Sequence, residues 1–221
     1  MLRIHVAVWL TVLALGVSAV TRASPPRDGE TARVASLTPA PEVGAAEPVL
    51  EPGDLVLGNT RSSQSRAIQA ATRSPWSHVG IVEVARDGTY VVEAIGRVSR
   101  TPWAGFRRRA GGRVLVLRPR AVDPAARARA VAEAKRFLGR PYDPLFGWGD
   151  DRIYCSELVV KAYERGAGVA LGKRQRVGDL HLAGLEPAIC ARWGRVPRDL
   201  VLVTPASIAE DPKLERVYEG P

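Results

Sequence analysis

Cysteine and histidine are scarce in this sequence: Cys155 and Cys190, with His5, His78 and His181, are all that 221 residues contain. No C-x-x-C or H-x-x-x-H spacing brings them together, so no zinc motif is present and no metal or cofactor is expected. Two cysteines cannot build a disulfide framework, and a chain with 46% hydrophobic residues and five Trp has a core that needs no staple. Lysine is scarce too, since the 32 basic residues are 28 Arg and 4 Lys. The net charge of +9 is therefore as readily a coding preference as a function, and with no basic-aromatic interleaving it does not point to nucleic acid. There is no internal repeat. The longest apolar run, Val6 to Val20, is about 15 residues, short of the roughly 20 that a spanning helix needs.

What that run does resemble is the h-region of a secretory signal peptide. Arg3 precedes it and Thr21-Arg22-Ala23 follows, so residues 1–23 are expected to be a signal, cleaved after Ala19 or Ala23. No cysteine follows the run, so a lipid-modified N-terminus is not expected. Residues 24–51 are rich in Pro, Ala and Glu without apolar periodicity and read as a flexible linker. The folded domain is then 52–221, exported to the periplasm or cell envelope. A basic exported protein finds its anionic partners in lipid headgroups or wall polymers, as a peripheral contact. Arg107-Arg108-Arg109, the densest basic cluster, reads as a solvated loop.

Within the domain, Gly53 to Leu57 reads as a strand, and Ser62 or Ser63 caps a helix reaching Thr72 before Ser74-Pro75-Trp76. Ser77 to Val84 and Thr89 to Ala94 are strands joined at Asp87-Gly88. A further strand covers Arg113 to Leu117. Asp123-Pro124 then opens a helix to about Leu138, closed by Gly139. Leu158, Val159, Ala162 and Tyr163 form the apolar face of another helix, with Gly166 placed to end it. Beyond it, Val177 to Leu180 and Leu200 to Val203 suggest strands and Pro205 to Glu210 a short helix. The sum is an α+β domain, helices packed on a mostly antiparallel sheet.

Cys155 falls at the start of the Leu158 helix, where free backbone amides and the helix dipole lower a thiol pKa. Asp150 and Asp151 oppose that shift unless they point away. The same position also suits a small buried hydrophobe, and export allows a Cys155–Cys190 disulfide. A thiol nucleophile needs an imidazole and a polar group to orient it. With His5 in the signal, the candidates are His78, at a strand start where a cleft is common, and His181, in an unpatterned segment. Glu93 is the natural orienter, an acid in an apolar strand that is costly to bury unpaired. A two-residue turn at Asp87-Gly88, however, sets Glu93 opposite Val82, four positions from His78 and out of hydrogen-bond reach.

Gly53-Asp54-Leu55-Val56, the run Arg61 to Gln69, Ser77-His78-Val79-Gly80, Val92-Glu93-Ala94, Gly139-Arg140-Pro141-Tyr142-Asp143 and the run Asp150 to Val159 together resemble the permuted papain-like amidases of the YiiX/YaeF group. That group is a circularly permuted branch of the NlpC cell-wall hydrolase superfamily. The resemblance implies Cys155 as nucleophile, His78 as base and Glu93 as third member, with the permutation placing histidine before cysteine. It also implies that Tyr154 lines the site or assists the oxyanion, and that Cys190 is incidental. The expected substrate is an acyl amide or ester, lipid-like or a wall peptide. Trp76, Trp103, Phe106, Phe146 and Trp148 are either core residues or the lining of an acyl groove. An acyltransferase, or a silent module that binds lipid or wall fragments, are the alternatives.

Overall fold

The computed structural model describes residues 47–220. The expected signal, and the expected linker as far as residue 46, lie outside them. Residues 47–51, assigned from composition to the linker, are part of the domain. Glu51 holds Arg118 Nη1 at 2.6 Å and Arg127 Nη2 at 2.7 Å, and Leu50 packs against a buried cluster. Those arginines come from distant elements, so local composition carried no sign of the clamp.

The elements in chain order are β1 (Leu55–Gly58), α1 (Ser63–Thr72), β2 (His78–Ala85), β3 (Gly88–Ile95), β4 (Arg97–Pro102), α2 (Trp103–Arg109), β5 (Val114–Pro119), α3 (Pro124–Lys135), α4 (Cys155–Ala167), β6 (Arg174–Arg176), a 3₁₀ turn at Val177–Asp179, α5 (Glu186–Trp193), β7 (Val201–Val203), α6 (Pro205–Ala209) and β8 (Leu214–Gly220). Ser62 caps α1 and Asp123 caps α3, each by accepting the amide three residues on. Val177 to Leu180 is the 3₁₀ turn and not a strand, because the pairing residues are the three before it.

Six strands form one antiparallel sheet in the order β4-β3-β2-β1-β5-β8, and β6 and β7 make a separate ribbon. Both faces of the central strands are buried, which is why β1 and β2 read as continuous apolar runs. Leu55, Leu57, Val79, Ile81, Val92 and Ala94 share a core with α3 and α4. Val56, Val82, Val91, Val114 and Val116 pack with Phe106 and Ala110 at α2. Arg107 to Arg109 are thus the last turn of a helix and not a solvated loop.

The hairpin register differs from the expected one. Its two-residue turn is Arg86-Asp87, so Ala85 faces Gly88 and Glu93 faces Gly80. That puts Glu93 two positions nearer His78, on the same face and diagonal to it. Gly80 keeps the space between them: a Cβ there would lie 2.4 Å from Val91 Cγ1 and 3.2 Å from Glu93 Cβ.

The central helix α4 is buried at every residue from Cys155 to Tyr163. It does not end at Gly166. Gly168, at φ 68°, is the left-handed cap, and Gly166 serves a helix crossing, where a Cβ would come 2.5 Å from the Ala130 backbone nitrogen of α3. Gly166→Ala is therefore expected to lower stability by roughly 1–3 kcal/mol through overpacking, against the gain of up to about 1 kcal/mol that alanine normally brings to a helix. Urea unfolding of this variant checks it beside Gly149→Ala, whose Cβ would meet nothing within 4 Å and which should leave the midpoint unchanged.

Candidate active site

Cys155 is the first residue of α4, with Tyr154 at the cap position. The capping there is supplied by Glu157, whose Oε2 accepts from the Tyr154 amide at 3.2 Å. Around the buried thiol stand the His78 imidazole, the Val79 backbone amide and the Ser156 hydroxyl. Burial alone would raise the Cys155 pKa, but the hydrogen bond and charge of His78, with the Val79 amide, bring it below the ordinary thiol value. Asp150 does not oppose this. Arg165 holds it at 2.9 and 3.0 Å and Lys161 at 2.8 Å, and these two cations bring its carboxyl down to about 2. Asp151 has a fully exposed side chain.

His78 Nε2 lies 2.5 Å from Glu93 Oε2, so Nδ1 is the nitrogen left for the thiol. Its ring stacks on Phe106 at 5.9 Å between centroids. Burial would keep the ring neutral, but Cys155 and Glu93 together outweigh it and raise its pKa to about 9. Glu93 is wholly buried, and its second oxygen accepts from Arg109 Nη2. Burial would raise this carboxyl as well. Its bonds to His78 and Thr101 and the charge of Arg109 win, and it falls to about 2. Arg109, Glu93, His78 and Cys155 thus stand in one row: guanidinium, carboxylate, imidazole, thiol.

His181 is elsewhere, exposed, with its Nδ1 2.8 Å from Arg73 Nη2. Cys155 and Cys190 are both free, the first buried and the second exposed, so no disulfide joins them. Tyr154 is buried beside Cys155, and its hydroxyl accepts from the Val203 amide at 3.1 Å. Phe146 meets Tyr154 edge-on at 5.3 Å, and Trp148 lies 6.3 Å from it. Trp76 and Phe106 belong to the two cores, and Trp103 packs on the second. Of the five aromatics singled out by sequence, Phe146 alone lines the cavity beside Cys155. It sits at φ 55°, in a turn that Asp143 fixes by accepting from the Leu145 and Gly147 amides at 2.9 and 2.7 Å.

Three more side chains complete the surroundings. Arg109 was hidden in a basic run. Gln64 and Tyr142 lie inside the motifs quoted for the family, but nothing in their spacing assigned them a part. Gln64 Nε2 donates to the Tyr142 hydroxyl at 2.8 Å, leaving the tyrosine its own proton to give. Burial and the neighbouring Cys155 keep that hydroxyl protonated well above the usual phenol range.

A thiol at a buried helix start beside an imidazole that a carboxylate orients is an arrangement that can serve as nucleophile, base and orienter. Residues 49–218 match the model of the permuted papain-like amidase enzymes, YaeF/YiiX, C92 family. The uncharacterized protein YiiX of Escherichia coli (strain K12) is 35% identical over 172 residues, which is 75% of this chain and 84% of that one. A crystal structure described as that of the metalloprotein yiiX from Escherichia coli O157:H7 superposes with a TM-score of 0.73 at 34% identity, over 76% of this chain and 97% of that chain. With this fold, and with a family match over residues 49–218, the chain belongs to the permuted papain-like amidase family, YaeF/YiiX.

Proposed function

We propose that this protein is a cysteine hydrolase that cleaves amide or ester bonds through Cys155, His78 and Glu93. The observation that carries the reading is that the buried Cys155 thiol at the start of α4 and the His78 imidazole, itself hydrogen-bonded to the buried Glu93 carboxylate, face the same recess. The Cys155 thiolate attacks the substrate carbonyl carbon and a C–S bond forms. The His78 imidazolium then gives its proton to the leaving nitrogen or oxygen as the substrate's C–N or C–O bond breaks, which leaves a thioester on Cys155. His78, now neutral, takes a proton from water, which attacks the thioester, and the acid is released with the thiolate restored. The backbone amide of Cys155 is the oxyanion donor, with the Tyr142 proton nearby, and Tyr154 acts as a wall of the site.

Support against a silent binding module comes from the free thiol, since a Cys155–Cys190 disulfide would have blocked the nucleophile. A donor set for a metal does not fit these residues. Among the described residues no three His, Cys, Asp or Glu side chains cluster as ligands, and His78 Nε2 and both Glu93 oxygens already have partners. The export signal at residues 1–23 and a peripheral contact with anionic membrane or wall belong to the same proposal. Their support is the pattern from Arg3 to Ala23 and the net charge of +9.

Two outcomes test the mechanism. Cys155→Ala should abolish turnover of an activated acyl ester, and His78→Ala should lower kcat by about 10²- to 10⁴-fold with little change in KM. Steady-state kinetics with intact-mass detection of the acyl-enzyme measures both. The pH dependence follows from the ion pair. Iodoacetamide labelling of Cys155 should rise through a midpoint below the ordinary thiol value of about 8.5. The kcat/KM profile should fall again near pH 9, where His78 loses its proton. In Glu93→Gln that upper limb moves to lower pH, since the carboxylate is one of the groups that raise His78. In His78→Ala the labelling midpoint moves up, because the largest groups opposing burial, the hydrogen bond and charge of His78, are gone.

A further inference from the structure

Cys155 lies between two adjoining recesses, one strongly apolar and one of mixed lining. One is an apolar cavity of about 220 Å³. Ala67, Ile68 and Ala71 of α1 form one wall, with Leu182, Ile189 and Leu202 across from them. The other is a recess of about 420 Å³ with a mixed lining, in which the hydroxyls of Thr60, Ser62 and Ser77, the Gln64 amide, His78 and Arg109 stand among apolar groups such as Ala94 and Ile95. A scissile bond at Cys155 would send its acyl group into the first and its leaving group into the second.

Arg192, in the last turn of α5, borders both recesses. Its Nη1 is 3.2 Å from Gln64 Oε1 and 3.5 Å from the Pro144 carbonyl, both neutral oxygens. Among the described residues no carboxylate lies within ion-pair distance of it. Arg109, the other guanidinium at the recess, is committed to Glu93. An exposed cation where the apolar cavity meets the mixed recess is placed to take a charge on the substrate, and a guanidinium matches a carboxylate with two parallel hydrogen bonds.

We propose that the substrate is a medium-chain acyl amide whose leaving group is a small amine carrying a carboxylate, so that the products are a fatty acid and an amino acid. The acyl chain fills the apolar cavity and the carboxylate pairs with Arg192. A cavity of about 150 Å³ holds the six carbons of benzene, so this one takes a chain of roughly eight. This rests on the hydrolase reading of Cys155, and the chemistry is unchanged: the C–N bond breaks, the nitrogen leaves with the His78 proton, and water supplies the acid's oxygen.

The test uses the full chain in two stages. First, p-nitrophenyl esters from acetyl to tetradecanoyl are followed by p-nitrophenol release and by intact mass. An acyl adduct on Cys155 with any of them upholds the hydrolase reading, and none with all of them ends that reading and the proposal with it. Given an adduct, kcat/KM should rise about three- to fourfold per methylene up to about eight carbons and then level off. A flat series, or one that favours acetyl, overturns the acyl cavity. Ala71→Phe, which fills it, should lower the octanoyl-to-acetyl ratio at least tenfold, and an unmoved ratio counts against the cavity. Second, N-octanoylglycine is compared with N-octanoylmethylamine, which lacks only the carboxylate. The glycine amide should have the lower KM by tenfold or more. Arg192→Ala should erase that difference, and Arg192→Lys should restore part of it. Equal KM values for the two amides in the unaltered protein overturn the assignment of the leaving group.

Discussion

His78 and Glu93 meet because the β2–β3 hairpin turns one residue earlier than its Asp-Gly pair suggests. With Arg86 and Asp87 as the turn, Glu93 stands opposite Gly80, and the missing side chain of Gly80 leaves the imidazole and the carboxylate free to touch. Everything at the site follows from that contact. A buried carboxylate must be paired on both oxygens or be neutralised, and here one oxygen takes His78 and the other Arg109. The imidazole held between a carboxylate and a thiol binds its proton more tightly, and the thiol releases its own more readily. Each charge in the line is tolerable only because its neighbours carry the opposite one.

The second support is α4. Its first nine residues are buried, so the amides at its start face the thiol in a medium of low dielectric, where dipoles count for more than in water. The cost of that burial falls on Glu157 and Lys161, which lie inside the protein 2.7 Å apart. Burial brings the Glu157 carboxyl up to about 7 despite the lysine. Lys161 also holds Asp150 Oδ1 at 2.8 Å, turning away an acid that would otherwise have competed with the thiolate.

Much of the architecture was legible from local signals. Capped helices such as α1 and α3, and strands buried on both faces such as β1 and β2, show their chemistry in consecutive residues. Elements that owe their form to distant partners did not show it. β4 reads Arg-Val-Ser-Arg-Thr-Pro, a polar edge strand, and α2 is mostly arginine with one buried Phe. α5 has no buried residue, yet it supplies a wall of the apolar cavity, and β8 joins the edge of the sheet as a polar strand. At the site, Cys155, His78 and Glu93 were nominated by residue type and position, while their mutual reach depended on a register that an Asp-Gly pair misstates. Arg109 went unread because a run of three arginines looks the same in a loop and in a helix. Gly166 and Gly168 were indistinguishable as helix stops, since what separates them is the approach of Ala130 from another helix.

The order of these residues along the chain has a consequence for biogenesis. His78 and Glu93 lie within one hairpin of neighbouring strands, a local structure that closes early and at small entropic cost. Cys155 comes two strands and two helices later and reaches the imidazole only when α4 has docked across the sheet. A chain emerging from the ribosome therefore assembles its proton acceptor first and carries an ordinary, weakly reactive thiol until the last long-range contacts form. The reactivity proposed for Cys155 is then a property of the finished fold, and a misfolded or half-made copy lacks the imidazole beside its thiol.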